Sequence, residues 1–405
     1  MVYGNGTNST VDAVAGNSQI RQEYYNRMAL LSIKDEMYLQ KLSGTMAQPK
    51  NYGKEVVKHR YIALLSDENS NAGSGLDTDG VTATAGNLYG SSRGTGFIAG
   101  KLPDLGEDPG RANKVSFSRK EVRGNIVNRG FFFEYSKDEL NFDSDKKFKQ
   151  HITTEAVKGA SQINEDVLAI DLVNNAGVNY FAGDATTVAT IDATSVPTLQ
   201  DLIRLDTELD NNKCPRDTKV IVGSTLTDTK TVANARYMFI HADTKMDFMS
   251  IKALNGTDDA FVPVEQYQSA SGDKKYINTI HGEIGKVGPF RLVVHPMMVK
   301  YATAADASMG AAWSSNATND LFRNDGSKFE AYPCLVVGSE AFTHIAFEYG
   351  AGTQGKFKVV HKTPEELRSR ENPFGKVGMT VIEFWNGILI ERPEWIAVYN
   401  ISAKY

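Results

Sequence analysis

Ten glycines fall within the 38 residues from Gly73 to Gly110, and strand-like runs stand on both sides of them. Val56 to Leu65 reads as one strand, and Val115 to Tyr135 as a long strand or a strand pair. Most connections in compact domains are about 4–6 residues long, so these runs cannot be joined by a tight hairpin. The intervening segment is rich in Ser, Thr and Asp and poor in large apolar side chains. It has too little apolar surface to build a core of its own. Such a segment is an arm, a lid or disordered, and replacing residues 66–112 by a short turn should spare the subunit's own fold.

At 405 residues the chain has room for roughly two to three domains. A formal net charge of −5 argues against a polybasic nucleic-acid binder. Cys214 and Cys334 are the two cysteines, with no Cys-x-x-Cys spacing, so neither a disulfide framework nor a structural metal is expected. Met1–Gly16 is small and polar, so no secretion signal is expected there. No run approaches the ~20 apolar residues of a membrane span.

Periodicity supplies the elements. Ile20, Tyr24, Met28, Leu31, Tyr38 and Leu42 predict an amphipathic helix that Gly44 stops. Phe148, Ile152, Ala156, Ile163, Val167 and Ile170 predict one continuous helix over 145–176 with that stripe buried. On this reading Ile163→Asp misfolds the subunit. Thr198-x-x-Asp201 caps a helix bearing Leu199, Leu202, Ile203, Leu205 and Leu209, closed by Cys214-Pro215. Lys219–Val222 reads as a strand and Thr225–Ala235 as a helix. Further strands are expected at Arg291–Val294, Leu335–Val337 and Lys356–Val360. Thr363-Pro364-Glu365-Glu366 starts a short helix to about Arg370. Asn386-Gly387, between apolar runs, predicts a hairpin turn.

Each catalytic motif lacks its context. Gly90-Ser91-Ser92-Arg93-Gly94 matches a nucleophile elbow, but neither a strand before Ser92 nor a helix after it is legible. His241, Asp243 and Asp247 could approach a cation, yet they lie in a mixed-charge run that reads as a solvated loop. Alanine at Ser92, His241 or Asp243 should leave assembly intact. Arg111, Lys114, Arg119, Lys120, Arg123 and Arg129 form the one basic cluster, without the aromatic interleaving of a single-strand platform. Asp104, Glu107 and Asp108 lie close by in sequence. Arg111, Arg119, Arg123, Asp104, Glu107 and Asp108 are therefore the candidate contacts between subunits. No cofactor or metal site is expected.

The last quarter carries a likeness. Asn372-Pro-Phe-Gly-Lys-Val-Gly378 runs into Met379–Glu391 and Glu394–Tyr399, with Gly282–Val294 and Tyr332–Phe342 upstream. Together these resemble the major capsid proteins of tailed bacteriophages, closest to the schitovirid (N4-like) podovirus family. The resemblance implies an α+β Hong Kong 97 (HK97-like) capsid fold. It implies an N-terminal arm (1–55) and an extended loop with flanking strands (56–135). A peripheral domain with a long spine helix (136–197), an axial domain (198–345) and return strands of the peripheral domain (346–405) would follow. It further implies a protein that assembles with itself into pentamers and hexamers, as an icosahedral head enclosing double-stranded DNA without sequence-specific binding. Decoration, scaffolding and portal proteins are its candidate partners, and no membrane is involved. Assembly in the bacterial cytoplasm and residence in the virion go with this. An encapsulin-type compartment shell is the alternative within the fold, and a serine hydrolase using Ser92 the alternative from another class.

Overall fold

The computed structural model describes residues 38–48, 53–62, 119–138, 148–221, 229–232, 236–266, 280–296, 298–301, 329–347, 358–370 and 372–404. The chain divides into two compact units, one of residues 1–54 with 125–405 and the other of residues 55–124. In chain order, β1 (Gly44–Gln48), β2 (Glu55–Tyr61) and β3 (Arg119–Ser136) precede helix α1 (Phe148–Asn174). Then come β4 (Val178–Phe181), α2 (Leu199–Asn211), β5 (Thr218–Ile221), β6 (Thr229–Val232), β7 (Arg236–Ile240) and α3 (Lys245–Met249). Next are β8 (Phe261–Pro263), β9 (Glu283–Val287), β10 (Phe290–Val294), β11 (Tyr332–Val337) and β12 (Phe342–Phe347). The chain closes with β13 (Lys358–Lys362), β14 (Val377–Ile390) and β15 (Ile396–Ile401).

Seven strands form a mixed sheet in the order β4-β15-β11-β7-β10-β9-β8. β7, β11 and β15 are buried at every position. Strands covered on both faces need no polar alternation, which is why these segments are apolar apart from Arg236 and Asn400. Helix α2 adds Leu202, Leu205 and Leu209 to this core. Its start is fixed by Thr198, whose hydroxyl accepts the Asp201 amide at 3.2 Å. Ile203 of the expected stripe is instead exposed.

In the second sheet β1 runs parallel to β12, β12 pairs with β14, and β14 carries both β3 and β13. β14 alternates buried and half-buried residues. Its Ile382 and Phe384 pack with Ala156, Val157 and Ala160 of α1. In the smaller unit β2 is hydrogen-bonded beside β3.

The long helix is present, but among the described side chains of its apolar stripe only Ala156 is buried. Ile163 is 39% and Ile170 46% exposed. The side chains turned inward include Thr153, Ala156, Ala160, Ser161, Asn164, Glu165, Leu168, Ala169 and Leu172. Small residues let the helix lie close on the sheet, and the polar ones are buried where partners await them. Thr153 bonds the His361 ring at 2.7 Å, and the other ring nitrogen lies 2.9 Å from the Thr380 hydroxyl. Ile163→Asp is therefore expected to cost no more than about 1 kcal/mol, because the charge stays in water. Leu168→Ala, at a fully buried site, should cost about 2–5 kcal/mol. Urea unfolding of both variants checks the assignment.

Three further expectations fail for local reasons. Asn386-Gly387 is no turn: β14 runs straight through it, pairing both residues with Val127 and Ile126 of β3 and with Ala346 and Ile345 of β12. A Cβ at Gly387 would stand 2.8 Å from the Asn125 carbonyl oxygen, so the glycine serves close strand approach. Within the expected helix Thr225–Ala235, residues Thr229–Val232 form β6, antiparallel to β5. Thr225, Thr227, Thr229 and Thr231 alternate at period two, and β-branched side chains favour the strand. Thr363–Arg370 makes turns only. The Glu366 carboxylate does accept the Thr363 amide at 3.0 Å, but Asn372 then takes over the hydrogen bonding. The expected N-terminal helix lies largely outside the described residues, and its end is a short 3-10 turn, Leu39–Leu42.

Candidate subunit-contact surfaces

His241, Asp243 and Asp247 are committed to structure. His241 Nδ1 accepts the Asp243 amide at 3.1 Å, and Asp243 accepts the Tyr332 hydroxyl at 3.1 Å. Asp247 points elsewhere, its carboxylate accepting the Lys404 amide at 3.1 Å. The Tyr332 hydroxyl also bonds Glu330 at 2.5 Å, and Lys300 bonds both Glu330 oxygens at 3.0 Å. Burial, then these carboxylates, holds the Tyr332 phenol well above its ordinary range. Among the described residues no three His, Cys, Asp or Glu side chains could hold a metal ion. Ser92 lies outside the described residues. Both cysteines are free and buried. Burial pushes the Cys214 thiol up to about 11 although Arg236 opposes it, and burial raises Cys334 as well, so neither is a ready nucleophile.

Of the expected subunit contacts, Asp104, Glu107, Asp108 and Arg111 lie outside the described residues. Arg123 is already occupied, bonding Glu55 and Glu121 of its own chain, each at 3.2 Å. Those carboxylates, Glu121 first, raise its guanidinium pKa further. All three side chains are well exposed, so the triad adds little stability. Recruiting Arg123 to a neighbour would break two ion pairs. Arg119 is exposed and makes no ion pair among the described residues, which leaves it available.

Several large apolar side chains are exposed as well. In β3, consecutive Phe131, Phe132 and Phe133 cannot all face one side of a strand. Phe131 packs with the α1 cluster, while Phe132 is 64% exposed. On and after α3, Met246 and Leu254 are also exposed. Among the described residues the most exposed large apolar side chain is Phe374, at 77%. A phenylalanine set inside turn chemistry, Asn372-Pro-Phe-Gly375, was the legible signal. No helix among the described residues is long and apolar enough to cross a membrane.

Known proteins agree with the architecture. The phage capsid protein family profile matches residues 120–385. The major capsid protein of Pseudomonas phage KPP21 is 38% identical over 387 residues, spanning 95% of this chain and 94% of that one. Among solved structures, the capsid of Ralstonia phage GP4 is similar in fold, with a TM-score of 0.55 at 12% identity and 92% of each chain covered.

Proposed function

This chain belongs to the phage capsid protein family, and from that premise we propose that its copies close as pentamers and hexamers into an icosahedral head around double-stranded DNA. It is a major capsid protein with the HK97-like α+β fold, located in the virion shell. The 38% identity to a phage major capsid protein over 95% of the chain carries this reading. It also disfavours the compartment-shell alternative. We assign no catalytic role, because the likeness to phage capsid proteins implies a structural one, and His241 and Asp243 serve turn and tyrosine hydrogen bonds.

The domain map follows from the same reading. The 27 residues of α1, about 40 Å at 1.5 Å per residue, suit a peripheral spine. The separate compactness of residues 55–124 suits an extended loop that lies on a neighbouring copy. Strands β7 to β11 of the seven-stranded sheet, with α2, suit an axial domain at capsomer centres, although β4 and β15 of the same sheet come from the segments 136–197 and 346–405. Closed symmetry then multiplies contacts that are each modest. Arg119, with Asp104, Glu107, Asp108 and Arg111, would meet neighbours through the loop. Decoration, scaffolding and portal proteins remain partners of the assembled head. Electron microscopy of the expressed chain, with its phage's scaffold if one is encoded, should show capsomers or closed particles. A protein that stays monomeric under those conditions overturns the proposal.

A further inference from the structure

We propose that Asn255 is a site of self-modification: its side chain closes on the Gly256 backbone nitrogen, sheds ammonia, and leaves aspartate or isoaspartate in an exposed turn.

The turn lies between α3 and β8 and is open to water from Leu254 to Asp259. Its ends are tied by the backbone bridge between Lys252 and Asp259, whose side chains pair at 2.6 Å, and by the Ala253 amide, which donates to the Asp258 carbonyl at 2.7 Å. Inside it the Asn255 side chain is oriented from both ends. Oδ1 accepts the Thr257 and Asp258 amides at 3.1 and 3.2 Å, and Nδ2 donates to the Asp258 carboxylate at 2.7 Å. Oδ1 thus reaches over Gly256 to the next two amides, which keeps the side-chain carbonyl carbon on the side of the attacking nitrogen. Gly256 takes φ +75°, and no atom stands within 4 Å of where its Cβ would be. Nothing crowds the ring that forms.

The reaction balances with water as the co-reactant. Gly256 N bonds to Asn255 Cγ, the Cγ–Nδ2 bond breaks, and the Gly256 proton passes through water to the departing ammonia. Water then opens the cyclic imide at either carbonyl. The reacting groups are neighbours in the chain, so no encounter is needed. Charge that builds on Oδ1 meets two backbone amides already in place. One bond opposes the attack, because the Gly256 amide donates to the Ala253 carbonyl at 2.8 Å. Opening it in water slows the step by about ten-fold at most.

The same dipeptide at Asn386-Gly387 has no such freedom. Asn386 is 4% exposed, and both residues pair with β3 on one side and β12 on the other. Closing an imide there would require a middle strand to leave its sheet. Asn5-Gly6 lies outside the described residues. At Asn255 conversion replaces the Nδ2 donor by a carboxylate oxygen. Two negative charges then face each other where Asn255 and Asp258 were hydrogen-bonded, and their repulsion loosens the turn.

The folded full-length chain, held at mildly alkaline pH and mapped by mass spectrometry, reads both sites in one sample. Peptides cut from it give the unfolded reference. Asn255 should convert within about ten-fold of its free peptide, and Asn386 at least about 100-fold more slowly than its own. Isoaspartate should appear beside aspartate at position 255, since the imide opens at either carbonyl. Conversion at Asn255 no faster than at Asn386 overturns the proposal. Aspartate without isoaspartate would mean direct hydrolysis, and overturns it as well.

Discussion

Arg236→Ala should destabilise the unassembled subunit by about 3–5 kcal/mol, the cost of stranding a buried carboxylate. Arg236 opens β7 and is 2% exposed. Its guanidinium bonds Asp206, reaches Asp210 at 2.7 Å and donates to the Cys214 carbonyl at 2.7 Å. Asp206 and Asp210 stand four residues apart on one face of α2, so a single planar fork fixes that helix to the sheet. Without it, the Asp206 carboxylate and the Cys214 carbonyl remain in a space made for the arginine. Against a typical total of about 5–15 kcal/mol, the loss is a large share of the fold. Arg236→Lys should recover only part, since an ammonium cannot serve three acceptors in a plane. Arg216 bonds the same two aspartates from a half-exposed position, and Arg216→Ala should cost less than about 1 kcal/mol. Urea unfolding ranks the three. An Arg236→Ala subunit within 1 kcal/mol of wild type would show that Arg216 alone neutralises the pair.

The same network sets part of the acid response. Hydrogen bonding to Arg216, then to Arg236, holds the Asp210 carboxyl below its ordinary value of 3.8. A depressed folded value means that this contribution is present above about pH 3.8 and is lost as pH falls through the folded value. Asp210→Asn should therefore flatten the acid limb of the stability profile in that window and leave its neutral slope unchanged.

Glu165→Ala should cost about 2–4 kcal/mol and loosen the segment that leads into β1. Glu165 lies in the middle of α1 and is 1% exposed. Its carboxylate accepts the backbone amides of Leu39 and Gln40 at 3.1 and 3.3 Å. A helix 125 residues downstream thereby caps the 3-10 turn that buries Tyr38, Leu39 and Leu42. His295 adds a polar contact, with Nε2 at 3.8 Å from the carboxylate. Removing the acceptor leaves two buried amides without it, at about 1–3 kcal/mol each before the site relaxes. Hydrogen exchange at Leu39 and Gln40 should accelerate by at least ten-fold, and trypsin should cut sooner at Lys41. Glu165→Gln, which keeps one good acceptor, should fall between. Unchanged exchange at both amides would rule out the capping role. The outcome matters for the shell, because β1 forms its parallel ladder with β12 directly after this turn.

Much of the local structure was legible in the residues themselves. The Thr198 cap and the Leu202-Leu205-Leu209 spacing determine α2, since both act within one turn of helix. The runs at Arg291–Val294 and Leu335–Val337 were legible as strands, inside β10 and β11, because their β-branched and apolar side chains favour a strand. The motifs after Asn372 were specific enough to indicate the fold family. Tertiary structure alone decided which face of α1 is buried. Hydrophobicity favoured Ile163 and Ile170, but the sheet accepts a close helix only where Ala156 and Ala160 are small. The polar Thr153 and Glu165 are buried because His361, Leu39 and Gln40 arrive from distant parts of the chain to meet them. Gly387 shows the same limit from the other side. Its sequence neighbours describe a turn, and only the approach of Asn125 from β3 makes it a position that a side chain cannot occupy.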